Sequence, residues 1–316
     1  MPKKLISIVT PCFNEEGNVN QHFAEICAQL ETFKDRYTFE HIYTDNCSQD
    51  QTFQRLCDLA SQHPNVKILR FSRNIGAVRA IYQGLIHAQG EAAILIQADL
   101  QDPPSLIPVF IREWEAGNDV VYGQILKRDE GLIMRNLRRF YYKIVTTLAE
   151  VPPAQNAGEF RITSRRVLDA IGKYHEDDLY LRGIIAHIGF KQKAIPYERA
   201  PRLRGKSSTN LLFLISYAIH GLTSMSVVPL RLVSLVGLSA STLGFVYVAY
   251  IIVVKVFFPD KVPSGVATLA SMITFFAGAQ LLALGIVGEY IRKIYMQSLG
   301  RPQAFIQDQV GFEKSA

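Results

Sequence analysis

The chain has 316 residues, 48% hydrophobic and 20% charged, with a formal net charge of +6 and a mean hydropathy of +0.10. That length allows one large domain or two smaller ones, and the apolar share is high enough to imply local concentration. Four cysteines without C-x-x-C spacing (Cys12, Cys27, Cys47, Cys57) argue against zinc ligands and disulfides and read as free thiols; no basic run is interleaved with aromatics, so the charge suits anionic lipid headgroups rather than nucleic acid.

The opening MPKKLISIVTP has too short an apolar run for a signal peptide, which leaves residues 1 to about 210 expected in the cytosol. Leu5 to Thr10 is a β-branched run that Pro11 is expected to end, followed by the polar turn CFNEEGN and a helical pattern from Val19 to about Phe33. The same unit recurs. Strand 39–44 precedes a helix near 50–61, strand 66–71 a helix from about Gly76 to Ala88, and strand AAILIQ a helix from Pro104 to about Ala116. Strand 119–124 then leads into a basic helix around 131–148. Alternating strands and helices of these lengths predict an α/β domain with a mostly parallel sheet, whose ligands lie at the carboxyl ends of the strands.

The polar clusters fall at those ends. Asn14, Glu15 and Glu16 follow the first strand. TDNCSQDQT follows the second, where Asp45 can accept hydrogen bonds from a base or ribose while Ser48 and Asp50 suit helix capping. After the third strand, Asn74 and Gly76 open a helix whose amino terminus favours an anion. The fourth strand delivers Asp99, Gln101 and Asp102 into Pro103-Pro104, with Asp102 equally readable as a ligand group or as a helix cap. The G-x-G-x-x-G fingerprint is absent after the first strand, and RGKSS (204–208) lacks the first glycine of a P-loop, which disfavours two common phosphate-binding classes.

Leu211 to about Val227 repeats apolar residues at helical spacing and reads as an interfacial helix lying on a membrane. Leu232–Val254 and Val262–Gly288 carry no charge, and each exceeds the roughly 20 residues that cross a bilayer core. Buried core helices are the alternative, but Gly237, Gly244, Gly278 and Gly285 suit lipid-embedded packing and close contacts between protomers of a homo-oligomer. Arg231 on one side and Arg292, Lys293 and Arg301 on the other put both ends of this hairpin in the cytoplasm by the positive-inside rule.

Six motifs in order, SIVTPCFNEEGN, TDNCSQDQT, RNIGAVRAIYQG, ADLQDPP, GEFRITSR and RLRGKSS, resemble the catalytic domain of glycosyltransferase family 2 from about residue 5 to 210. With two spans after that domain, the chain is similar to the polyprenyl-phosphate glycosyltransferases, relatives of dolichol-phosphate mannose synthase and of bacterial bactoprenol glucosyltransferases. The resemblance implies a GT-A fold over residues 1–210, a juxtamembrane helix at 211–228 and a two-helix transmembrane hairpin with a cytosolic tail at 229–316, in the inner membrane. It implies a nucleotide pocket of Pro11, Asn14, Glu15, Asp45, Asn74 and Asp99, a Mg²⁺ or Mn²⁺ ion on Asp99 and Gln101, and catalytic roles for Asp99, Glu159 and Arg161. The lipid phosphate would meet Arg135, Arg138, Arg139, Arg161, Arg165, Arg202 and Lys206, whose forks and charges match phosphate oxygens.

The implied activity is inverting transfer of one hexose from a nucleotide sugar to polyprenyl phosphate, with UDP-glucose favoured over GDP-mannose by the two-span layout. A non-catalytic scaffold or flippase partner is the reading from another class. The sequence departs from the family pattern at Asn46, Gln97 and Ala157, where relatives commonly carry acidic residues, and has Glu159 in place of an aspartate.

Overall fold

The computed structural model describes residues 3–126, 151, 154, 157–176, 179–199, 226–257 and 265–312. They fall into two units, one of residues up to 126, 151–199 and 301 onward, the other of residues 226–300.

In the first unit, β1 (Lys4–Cys12), α1 (Val19–Leu30), β2 (Tyr37–Asp45), α2 (Thr52–Gln62), β3 (Val66–Phe71), α3 (Ala77–His87) and β4 (Ala92–Leu95) alternate as the sequence predicts. A 3₁₀ turn, Pro104–Leu106, precedes α4 (Ile107–Glu115) and β5 (Val120–Ile125). Then come β6 (Ala157–Ser164), α5 (Arg165–Ile171), α6 (Leu181–Ile188) and β7 (Gln192–Tyr197); β8 (Ile306–Val310) follows the second unit. The expected basic helix around 131–148 lies outside the described residues, as does most of the expected interfacial helix.

Eight strands make one sheet in the order β7-β5-β6-β4-β1-β2-β3-β8. The pairs β1–β2, β1–β4, β2–β3 and β5–β7 are parallel, while β6 runs antiparallel to β4 and β5, and β8 antiparallel to β3. Helices cover both faces, so the central strands read as continuous apolar runs. Alternate residues serve opposite cores: Ile6 and Ile8 of β1, with Ile94 of β4, pack against Ile26 of α1 and Phe110 of α4. Val9 and Leu95 face the other way, against Leu85 of α3 and Val167 of α5. Because β2 and β4 flank β1 on opposite sides, the strand order reverses there, and the carboxyl ends of β1 and β4 form the switch point at which open α/β sheets hold their ligands.

The second unit contains α7 (Val228–Phe257) and α8 (Val266–Ser298), which carry the charge-free runs. Leu238, Phe245, Phe275 and Leu281 are exposed on them, which removes the buried-core-helix alternative for these segments and leaves two helices long and apolar enough to cross a membrane. Tyr290 Oη on α8 donates to the Ser226 carbonyl at 2.7 Å, fixing the entry to α7.

Candidate active site

The loops leaving β1, β2 and β3 are bound to one another by side chains that the sequence places one strand apart. The backbone N–H of Asn46 donates to the Cys12 carbonyl at 2.9 Å, carrying the β1–β2 ladder past its last strand pair. Asn14 N–H donates to Ser48 Oγ at 3.0 Å, Asn14 Oδ1 accepts from Gln49 N–H at 2.9 Å, and Glu15 N–H donates to Thr52 Oγ1 at 2.8 Å. Ser48 thus serves the neighbouring loop rather than its own helix. Asp50 does remain at the start of α2, where Oδ1 accepts the Thr52 N–H at 3.0 Å. Asn46 then joins the third loop, its side-chain Nδ2 donating to Asn74 Oδ1 at 3.0 Å and its Oδ1 accepting from Ile75 N–H at 2.8 Å. Gly76, with φ of 87°, caps α3 in a backbone conformation that a side chain would strain.

Among the described residues, three non-glycine residues hold positive φ: Asn14 (56°), Cys47 (62°) and Leu100 (56°). They stand in the loops after β1, β2 and β4, at the carboxyl edge. Non-glycine residues in this conformation cost of the order of 1 kcal/mol and persist where the surroundings dictate them, as around binding sites.

Asp45 ends β2 fully buried, with Oδ1 accepting the Ser48 N–H at 3.2 Å and Oδ2 3.4 Å from Arg70 Nε. Burial pushes its carboxyl above the usual aspartate range, against the pull of the Ser48 bonds and the Arg70 charge.

The β4 loop removes the helix-cap reading of Asp102. No side-chain cap is made at the turn beginning with Pro104. The buried Asp102 carboxylate instead accepts the Tyr197 hydroxyl at 2.5 Å and the Arg199 Nε–H at 3.1 Å, both from the end of β7. Burial raises its carboxyl, with the Arg199 charge and the Tyr197 bond opposing.

Asp99 is also buried, and its Oδ1 accepts the Gln101 N–H at 3.2 Å across the left-handed Leu100. Its Oδ2 is 4.0 Å from Arg199 Nη2, an ion pair too long for a hydrogen bond. Among the described residues there is no group of three or more His, Cys, Asp or Glu side chains that could hold a metal. Asp102 is committed to Tyr197 and Arg199, so Asp99 with Gln101 offers a sparse oxygen set. Such a set fits Mg²⁺ or Mn²⁺, which keeps waters and substrate phosphates among its ligands, and does not fit a fully protein-caged ion.

Because β6 runs antiparallel to β4, its amino-terminal end lies at the same edge, with Arg161 opposite Leu95. Glu159 Oε1 accepts from Arg182 Nε of α6 at 2.7 Å and Oε2 from Arg161 Nη2 at 2.9 Å. Arg161 is buried, and also donates to the carbonyls of Gly158 at 2.9 Å and Glu159 at 3.0 Å. Burial alone would raise the Glu159 carboxyl, but the Arg182 and Arg161 charges outweigh it and hold the group below the usual range.

Arg165 is a correction. It follows the opposite end of β6, where Ser164 pairs with Ala92 at the start of β4, and its guanidinium donates to the carbonyls of Ala88 (2.7 Å) and Gly90 (2.8 Å from Nε). A residue at the amino end of β4 cannot share a crevice with Asp99 at the carboxyl end. Its adjacency to GEFR in sequence conceals the length of the strand between them. Arg135, Arg138, Arg139, Arg202 and Lys206 lie outside the described residues. Tyr197, Arg199, Arg182 and Arg70 went unnoticed in the sequence, because each acts on a carboxylate from a different element and no local pattern marks such a meeting.

The sequence profile of glycosyl transferase family 2 matches residues 7–172, and that of the GtrB C-terminal hairpin matches residues 228–294. An uncharacterized glycosyltransferase of Synechocystis sp. is 34% identical over 98% of this chain and 96% of its own. A bactoprenol glucosyl transferase of Shigella phage SfV is also 34% identical, over 96% of this chain and 98% of its own. A solved mannosyltransferase of Pyrobaculum calidifontis, in complex with GDP-Man and Mn²⁺, is 17% identical with a TM-score of 0.46, over 90% of this chain and 88% of that one.

Proposed function

Because the chain belongs to glycosyl transferase family 2, we propose that it is a membrane-bound inverting hexosyltransferase moving one glucose from UDP-glucose to a polyprenyl phosphate. The observation that carries this reading is the order of elements: strands on both sides of an apolar helical hairpin build the transferase sheet, tying the domain to the membrane where such a lipid resides. The acceptor and the glucosyl group are supported by the relative named bactoprenol glucosyl transferase, matched over nearly its whole length. The catalytic domain is assigned to the cytoplasmic side on the strength of Arg231, Arg292, Lys293 and Arg301 flanking the hairpin.

A phosphate monoester has its second pKa near ~6 and is largely dianionic at neutral pH, so its attack on the anomeric carbon requires no strong base. Glu159 is suited to this demand. Held ionised and hydrogen-bonded on both oxygens, it is a poor proton acceptor and acts by orienting Arg161 and Arg182. Arg135, Arg138, Arg139, Arg202 and Lys206 meet the acceptor phosphate on this reading, and Asp45, Pro11, Asn14, Glu15 and Asn74 form the nucleotide pocket. Asp99 and Gln101 would hold a divalent ion, which supplies charge neutralisation on the departing nucleoside diphosphate. Direct displacement inverts the anomeric centre.

The test is turnover by the purified full chain in nanodiscs, with UDP-glucose, UDP-galactose, UDP-N-acetylglucosamine and GDP-mannose each offered with undecaprenyl phosphate. Lipid-linked glucose and UDP should form together, only with Mg²⁺ or Mn²⁺ present, and Asp99→Asn should lower the rate at least 100-fold on the scale of lost electrostatic stabilisation. Mannosyl lipid from GDP-mannose would replace the donor assignment; no lipid product from any donor would leave the scaffold reading in its place.

A further inference from the structure

Asp45, Arg70 and Asp308 form a row across three neighbouring strands. Asp45 of β2 is the direct partner of Arg70 on β3, and Arg70 is the direct partner of Asp308 on β8, so the three side chains share one face of the sheet. Arg70 Nε is 3.4 Å from Asp45 Oδ2 and its Nη1 is 3.7 Å from Asp308 Oδ2. The guanidinium lies over the Phe53 ring of α2 with Cζ 4.2 Å from the ring centroid, which keeps it between the two acids. Both contacts exceed hydrogen-bond length, so one cation is divided between two carboxylates.

We infer that Arg70 and Asp308 are positioning residues for the donor pocket: Arg70 steadies the Asp45 carboxylate as an acceptor for the nucleotide, and Asp308, supplied from beyond the hairpin, draws part of that charge away. The inference rests on the reading of Asp45 as a nucleotide contact. Among the described residues, the titratable groups that face Asp45 apart from Arg70 and, through it, Asp308 are Cys12 at the end of β1, Asp50 in the following loop and Cys57 on α2. Burial pushes both thiols up, so they stay neutral near pH 7, and the Thr52 and Glu16 N–H bonds keep Asp50 ionised against the opposing effect of its own burial. Burial and the Ser48 bonds act on Asp45 first, and Arg70 is the one cation among the described groups that favour its charged form.

The two substitutions have opposite signs. Arg70→Gln removes the cation and moves the acid limb of nucleotide binding to higher pH, weakening binding about tenfold at pH 7, the scale of one charge-assisted hydrogen bond. Asp308→Asn leaves the cation to Asp45 alone and moves the same limb to lower pH, with binding at pH 7 equal or tighter. Arg70→Lys keeps the charge and should restore the limb.

The measurement is calorimetric binding of UDP and of GDP with Mg²⁺ to the full chain in nanodiscs between pH 4.5 and 8 (a conventional range, about the span in which a raised aspartate titrates), with Asp45→Asn alongside and thermal melts to confirm folding. For turnover, KM for the nucleotide sugar should change with kcat nearly constant. Displacement of the limb in the same direction by Arg70→Gln and Asp308→Asn, or in neither, overturns the inference while a weakened Asp45→Asn leaves the pocket reading standing. Wild-type binding by Asp45→Asn, or no binding of either nucleotide by the wild type, overturns both.

Discussion

Glu159 keeps its charge because two guanidiniums outweigh the loss of water around it. Its lowered pKa makes a stabilising contribution that is fully present above the ordinary glutamate range and is lost as pH falls through the lowered value. Arg182→Gln deletes the 2.7 Å contact and leaves a partly buried carboxylate with Arg161 alone. The expected loss is about 1–3 kcal/mol at neutral pH, the scale of a hydrogen bond to a charged group in a half-buried site. The difference from wild type should shrink on acidification, and thermal melts of the full chain at a series of pH values check it; a deficit that is flat with pH contradicts the charge argument. At this scale the sequence was half legible. Glu159 and Arg161 stood out in GEFR, whereas Arg182 is 23 positions beyond Glu159 and becomes meaningful only when the fold brings α6 beside that carboxylate.

Packing of α3 on the centre of the sheet depends on the absence of a side chain at Gly84. A Cβ there would lie 2.4 Å from Val9 Cγ1 and 3.1 Å from Thr44 Cγ2, both on β-branched residues of buried strands. Helix propensity favours alanine over glycine by about 1 kcal/mol, but overpacking against stiff neighbours costs about 1–3 kcal/mol. Gly84→Ala should therefore destabilise, and Val9→Ala in the same chain should recover part of the loss as a favourable coupling in a double-mutant cycle of melting temperatures. Additive losses would show that the contact relaxes elsewhere.

The strands that build this centre were readable because they are apolar and β-branched. Pro11 was expected to end β1, yet the strand continues to Cys12; β4 pairs only with Ile6–Val9, so Pro11 lies where one side of β1 has no ladder to interrupt. The polar edge strands β7 (QKAIPY) and β8 (IQDQV) were not legible, since a charged or proline-bearing edge has the composition of a loop. The antiparallel β6, which carries GEFRITS, is hidden for a related reason: an antiparallel insertion does not follow the strand-helix rhythm.

For the whole molecule, the decisive feature is that the sheet closes around a gap in the chain. The strands β1 to β7 precede the apolar hairpin and β8 follows it, so the chain leaves one sheet before α7 and rejoins the same sheet after α8. The charge-free runs made the hairpin legible, but nothing in residues 301–312 announced that the chain returns to the sheet. That return is built from more than ladder bonds. Ser72 N–H donates to the Phe305 carbonyl at 3.0 Å, and Ala304 and Ile306 pack on Phe71, Ile75 and Ala80 beneath the loop that carries Asn74.

A chain ended at Gly300 would expose the full β3 edge together with this apolar patch, a template for pairing with another molecule. It should elute as aggregate and lose nucleotide affinity, because the Asn74 loop loses its backing; a peptide of residues 301–312 added in trans should restore part of both by adding the strand back. Size-exclusion profiles and UDP titrations of the two chains decide it, and a monodisperse, fully binding truncation would mean that β8 only decorates an edge the domain can leave bare.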